Sequence, residues 1–244
     1  MRLYDKDILA CKKMLEERAP RRLPTVKSWR CTDQETLVLR SDMAYELGGG
    51  TKAAVSGLGF TTNSDLVPES GVFLIGPDLP EIREDVSCAR ITLLRLEDVE
   101  DLEPQQLYSV FRKLEYTRYH IYPEGYMMRI SAVKEREPVR ISKASLKEGM
   151  DFAGVGACFA KQYIGNPRVK AVQTYFVTDS GADYGALMKY ANRFEQITES
   201  MNMVFQGLSM DCSTCGQREL CEEIDGLKEL HKGLDYPVEY LGWH

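Results

Sequence analysis

Three cysteines fall within ten residues near the end of this sequence. Met210-Asp-Cys-Ser-Thr-Cys-Gly-Gln-Arg-Glu-Leu-Cys221 sets Cys212, Cys215 and Cys221 in a C-x2-C-x5-C pattern. The first two thiols are separated by the span of a tight turn, so both can face one ion or one corner of a cluster, and Gly216 gives the backbone room to fold around it. Thiolates this close repel one another unless a cation holds them, which is why such spacing selects for metal. Iron–sulfur clusters and zinc both use C-x2-C pairs, and both take four protein ligands as a rule. The tail supplies three cysteines. Asp225, four positions after Cys221, and His231 are candidates for the fourth ligand. A distant cysteine such as Cys31 or Cys88 could also fold back, or a partner or small molecule could complete the shell. The plain alternative is three free thiols in a turn.

Other chemistry-bearing residues carry weaker signals. Gly48-Gly49-Gly50-Thr51-Lys52 invites a phosphate-loop reading, but it lacks the G-x4-G-K-[ST] spacing and reads as a turn between strands. His120 lies beside Tyr116, Tyr119 and Tyr122; a lone histidine in such company is read as packed or surface-exposed rather than catalytic. No Ser/His/Asp or paired-carboxylate arrangement is recognisable from spacing, because such sites assemble in space.

The elements that must position these groups follow from periodicity and breakers. A first helix is predicted from Asp5 to about Arg18, with Ile8, Cys11 or Met14, and Leu15 on one face and Pro20 as its stop. Arg21 to Asp33 reads as a connection. Short strands are predicted at Thr36–Arg40, Ala53–Thr61, Val72–Ile75 and Ala89–Leu94. Pro104 suits a first-turn position, and Leu107, Val110, Phe111, Leu114 and Arg118 trace one face of the helix behind it. A strand pair is expected over Tyr126–Val133 and Val139–Ile141, with Ser142 as the cap of the next helix. Phe152, Val155, Phe159 and Tyr163 form that helix's stripe, which ends at Gly165-Asn166-Pro167. Val169 to Thr178 reads as a buried strand. A long helix with Leu187, Tyr190, Phe194, Ile197 and Met201 inward comes next.

Strands and helices mix without a steady βαβ rhythm, so the expected class is α+β: a mixed sheet with packed helices, followed by a short cysteine-bearing tail. The expected organisation is an N-terminal helix and connection over 1–34, an α+β domain over 35–206 and a metal-binding tail over 207–244.

With 244 residues, 43% of them hydrophobic and 28% charged, the chain can bury a substantial core. A net charge of −6 disfavours wholesale coating of nucleic acid or anionic membrane. No apolar run approaches the roughly 20 residues of a membrane span, and the charged start MRLYDKDILACKKMLEERAPRR lacks the apolar segment of a secretory signal. Clustered cysteines without a signal favour metal over a disulfide framework. The expectation is a cytoplasmic protein with reduced thiols.

Several short runs follow one another in a fixed order along the chain. Met43-Ala-Tyr-Glu-Leu-Gly-Gly-Gly leads to Leu74-Ile-Gly-Pro-Asp-Leu-Pro-Glu-Ile82. Tyr122-Pro-Glu-Gly125, Arg140-Ile-Ser-Lys143 and Val177-Thr-Asp179 then follow, before the Cys212-x2-Cys215 pair. In this order they resemble acetyl-CoA synthase, the nickel–iron–sulfur enzyme of the carbon monoxide dehydrogenase complex. The likeness spans about Arg40 to Cys221, corresponding to that enzyme's middle domain and the start of its cluster-binding segment.

The resemblance implies an iron–sulfur cluster, of the 4Fe-4S type, on Cys212, Cys215 and Cys221, with zinc as the alternative. It also implies possible coenzyme A binding through Arg129, Arg136, Arg140 and Lys143, since guanidinium forks suit its phosphates. The competing reading of that stretch is a solvated strand face, because Glu135 and Glu137 alternate with the basic residues. The family's Cys-Gly-Cys nickel motif and a fourth tail cysteine are absent from this sequence, so the nickel chemistry does not carry over. The implied role is an accessory protein of anaerobic one-carbon metabolism, with a corrinoid protein or a carbon monoxide dehydrogenase subunit as partner. A zinc-knuckle scaffold and a nickel-independent CoA acyltransferase are the alternatives.

Overall fold

The computed structural model describes residues 2–40, 43–99, 102, 104–129 and 131–205. The elements run α1 (Asp5–Glu16), β1 (Arg21–Arg22), β2 (Cys31–Thr32), β3 (Ala44–Leu47), β4 (Ala54–Thr61), β5 (Gly71–Ile75) and β6 (Cys88–Leu96). After them come α2 (Pro104–Tyr119), β7 (Tyr122–Pro123), β8 (Tyr126–Met128), β9 (Val139–Ser142), α3 (Lys143–Lys147), α4 (Phe152–Ile164), β10 (Val169–Val177) and α5 (Tyr184–Phe205). The class is α+β.

A five-stranded mixed sheet in the order β1-β5-β10-β6-β4 forms the centre. β5 runs parallel to β10 and β4 parallel to β6, while β10 and β6 are antiparallel. β4 is buried along its whole length, and β6 and β10 almost so. That burial explains why they read as mostly apolar runs, broken at positions such as Arg90 and Lys170, rather than as strictly alternating ones.

Register fixes which side chains share a face. Phe176 pairs with Arg90, and Arg90 with Ser56, so these three point the same way. Gly57 and Gly59 on β4 point the other way, and there the sheet meets α5 at Ala191 and α1 at Ile8. On the first face lies α4, whose Phe152 stacks on Phe176 with centroids 4.3 Å apart. The approach is close: a Cβ on Gly156 would stand 2.5 Å from a methyl of Val72. Phe60 joins the layers at the sheet's edge, meeting Tyr4 and Phe111 edge-on at 5.4 and 5.1 Å. α1 contributes Ile8, Cys11 and Leu15 to this same core.

A second, three-stranded sheet of order β3-β9-β8 and a two-stranded pair, β2 with β7, flank the first. Between α1 and β3 the chain runs as a strap over residues 20–40. It lies across the outer side of α4, where Trp29 N donates to Gly154 O at 2.9 Å.

Four expectations need correction. Arg21–Asp33 is not only a connection: it contains β1, which joins the central sheet at β5, and β2, which pairs with β7. Thr36–Arg40 forms no strand: Val38 turns inward while Leu37 and Leu39 face solvent, and no ladder partner meets this stretch. Ser142 caps only the short α3; α4 starts afresh under Asp151, whose carboxylate accepts from Gly154 N at 2.7 Å. The thiols are not all reduced, because Cys31 and Cys158, 127 residues apart in sequence, form a disulfide with Cα atoms 6.2 Å apart. Sequence spacing carries no trace of that pairing, which arises where the strap crosses α4.

Candidate functional site

The turn from α2 into β7 and the loop from β8 to β9 enclose a groove around Tyr119. Gly125 makes the β7–β8 turn possible. It sits at φ +77°, and a Cβ there would fall 2.0 Å from Ser145 Oγ, so no other residue fits without moving α3. The turn brings Tyr122 against His120, whose ring stacks on Tyr116 at 3.6 Å.

Two adjoining cavities share Tyr119. One, about 270 Å³, is walled by Glu35, Tyr122, Met127 and Arg129. The other, about 360 Å³, is walled by His120, Ser131, Lys134 and Arg136. Glu137 lies at the boundary of both.

Beneath the groove runs a buried ion network. Glu137 Oε1 accepts from Arg90 Nη2 at 2.5 Å, and its Oε2 accepts from Ser56 Oγ at 3.4 Å. Arg118 donates to Glu195 at 3.2 Å and to the carbonyls of Ser56 and Lys134, each at 3.0 Å. Lys134 closes the set on Glu195 at 2.7 Å and Glu199 at 2.9 Å. Arg90, Glu137, Arg118 and Glu195 are all under 10% exposed. Two cations thus meet two carboxylates out of water, the arrangement that keeps burial of charge tolerable. Burial alone would lower the pKa of Arg118, but Glu137, Tyr119 and Glu195 outweigh it and hold it above the ordinary value. Burial would likewise lower that of Lys134, and its bonds to Glu195 and Glu199 reverse the direction. Burial raises the pKa of Tyr119 and of Tyr122, so both phenols stay protonated at neutral pH and can donate hydrogen bonds.

The four basic residues expected to bind coenzyme A do not converge. Arg129 and Arg136 line the two cavities, and Arg136 also donates to Gly50 O at 3.0 Å. Arg140 turns away to bond the buried Glu46 at 2.6 Å, with Arg129 at 3.3 Å from the same oxygen. Lys143 lies over the Tyr45 ring at 4.4 Å. The reading of Glu137 as part of a solvated face is overturned by its burial against Arg90. A sequence signal for the network existed: Arg90 interrupts the apolar run Cys-Ala-Arg-Ile-Thr-Leu-Leu, and a charge inside a fully buried strand requires a buried partner.

The proposed metal ligands Cys212, Cys215, Cys221, Asp225 and His231 lie outside the described residues. The body's own cysteines are poor ligands. Cys31 and Cys158 are joined, which removes Cys31 as a fourth ligand. Cys11 and Cys88 are buried, and burial pushes both thiols up to about 12, far from the thiolate a metal needs. Among the described residues no group of three or more His, Cys, Asp or Glu is placed to hold a metal, and no helix is long and apolar enough to cross a membrane.

No family model matches the sequence, and no curated protein matches it.

Proposed function

We propose that this chain is an acetyl-CoA-synthase-like accessory protein of anaerobic one-carbon metabolism. Its tail holds an iron–sulfur cluster on Cys212, Cys215 and Cys221, and its α+β body carries a ligand groove. One observation supports the ligand assignment most. Of the seven cysteines in the sequence, two are joined to each other and two are buried as thiols, which leaves the C-x2-C-x5-C set. Three thiolates fit a 4Fe-4S cluster with one iron corner ligated otherwise, by Asp225, His231 or a partner. Bound there, the cluster would supply one-electron chemistry, while the protein's part is to orient it and tune its surroundings.

The groove supports coenzyme A as the body's ligand through Arg129 and Arg136, whose guanidinium forks suit phosphate, with Tyr119 and Tyr122 as hydrogen-bond donors. A corrinoid protein or a carbon monoxide dehydrogenase subunit would be the docking partner.

The test is substitution with metal analysis. Cys212→Ser and Cys215→Ser are each expected to lose most of the bound iron and its visible absorption. Unchanged iron in both would remove the tail from the account. Coenzyme A at saturating concentration should raise Tm, since a ligand that binds only the native state stabilises it. An unshifted Tm would leave the groove without that ligand.

A further inference from the structure

We infer that Cys31–Cys158 is a reversible thiol–disulfide modification site, and that its reduction frees the middle of the strap, residues 24–36, from α4. This does not depend on any metal or on the reading of the tail. The two cysteines join elements far apart in sequence, and their Cα separation of 6.2 Å lies within the range a disulfide spans. Cys31 is half-buried at the margin of the core, whereas Cys158 is fully buried on α4. Cys31 is therefore the more accessible end of the bond.

Between its anchored ends, where Arg21 and Arg22 pair with β5 and Val38 is buried against Met127, the strap is lightly held outside its short pairing with β7. Trp29 N donates to Gly154 O at 2.9 Å, Trp29 Nε1 to Glu124 O at 2.8 Å, and Glu124 N to Arg30 O at 2.8 Å. Arg30 adds ion pairs to Glu124 and Glu148 from an exposed position. Between Leu23 and Val38, both buried, only Trp29 and Cys31 pack against the core as apolar groups, and Val26 faces solvent, so few apolar contacts resist lifting of this middle part. A segment with few buried contacts opens locally at low free energy.

The strap also forms part of the groove. Glu35 lines the cavity beside Tyr122, and Thr32 Oγ1 donates to Tyr122 O at 3.1 Å. Freeing the strap removes that wall.

The chemistry is thiol–disulfide exchange with a dithiol. One thiolate of the dithiol attacks Cys31 Sγ, the bond to Cys158 breaks, and Cys158 departs with the electron pair and takes up a proton. The second dithiol sulfur then attacks the mixed disulfide, releasing Cys31 as a thiol and leaving the reagent oxidised to its own disulfide. Because Cys158 must depart into apolar surroundings, lifting of the strap and bond cleavage are coupled. A small-molecule disulfide reverses the sequence.

The test uses the full chain, incubated natively with oxidised glutathione or with dithiothreitol, then denatured, alkylated and digested with trypsin. Oxidised protein should yield residues 31–40 linked to residues 148–161, the tryptic peptides that carry the two cysteines; dithiothreitol should release both. Mapping by peptide separates this pair from the tail cysteines. Hydrogen exchange at the Trp29 and Glu124 amides should rise at least tenfold on reduction, with β6 and β10 unchanged, and Cys31→Ser should reproduce the reduced pattern under both conditions. Alkylation of both cysteines after oxidised glutathione would overturn the pairing. A released peptide with unchanged exchange at those amides would overturn its hold on the strap.

Discussion

The central sheet and the groove beside it are held by different physics. β4, β6 and β10 are fixed by apolar burial between α4 on one side and α1 with α5 on the other, through contacts such as Phe152 on Phe176 and Ile8 over Gly59. The three-stranded sheet adds charge to apolar burial: Leu47, Tyr126, Val139 and Ile141 join the common core, and ion pairs tie the sheet and its loop in place. Glu46 gathers Arg40, Arg129 and Arg140, while Glu137 gathers Arg90 and Arg118. Apolar burial is non-directional and tolerates small shifts. A buried ion network requires its geometry, and so sets where the groove walls stand. The strap is a third case, in which one covalent bond supplements sparse contacts.

This contrast can be broken first in the core. Phe176→Ala should cost about 3–5 kcal/mol in chemical denaturation, the usual loss for a buried aromatic. Glu137→Ala should cost as much for another reason: it leaves Arg90 and Arg118 short of a buried counter-charge, worth about 3–5 kcal/mol. The two mechanisms separate in a double variant. Arg90→Met added to Glu137→Ala should recover part of the loss, whereas Arg90→Met added to Phe176→Ala should not. Cys31→Ser should cost about 2–4 kcal/mol relative to the oxidised protein, and nothing relative to the reduced one.

The smallest expected effect is in acid. The hydrogen bond from Arg140 outweighs burial, and with help from Arg40 and Arg129 it holds Glu46 below its ordinary pKa of 4.5. A depressed folded-state pKa contributes stability that is present above the unfolded value and lost as pH falls through the folded one. Tm should therefore fall more steeply below about pH 4.5 in the wild type than in Glu46→Gln.

How much of this was legible depends on the range of the interaction. α5 was readable because Leu187, Phe194, Ile197 and Met201 recur at helical spacing, and all four are buried. β10 is readable as a run rich in β-branched and aromatic residues. The stripe on α2 even placed Arg118 inward, although its partners Glu137 and Glu195 could not be inferred. Ion pairs and disulfides between distant positions leave no periodic signal. Thr36–Arg40 failed as a strand because alternation specifies extended backbone, not a neighbour to bond it. The groove is half legible: the sequence shows the aromatic cluster and the basic stretch, but only the fold puts Tyr119 and Arg136 on one cavity.

The most direct measurement is anaerobic purification of the whole chain, followed by iron, sulfide, zinc and nickel analysis with a visible spectrum. The expected result is a brown protein with matched iron and sulfide and no nickel, bleached by Cys212→Ser. A colourless protein carrying one zinc per chain, or no metal at all, would contradict it.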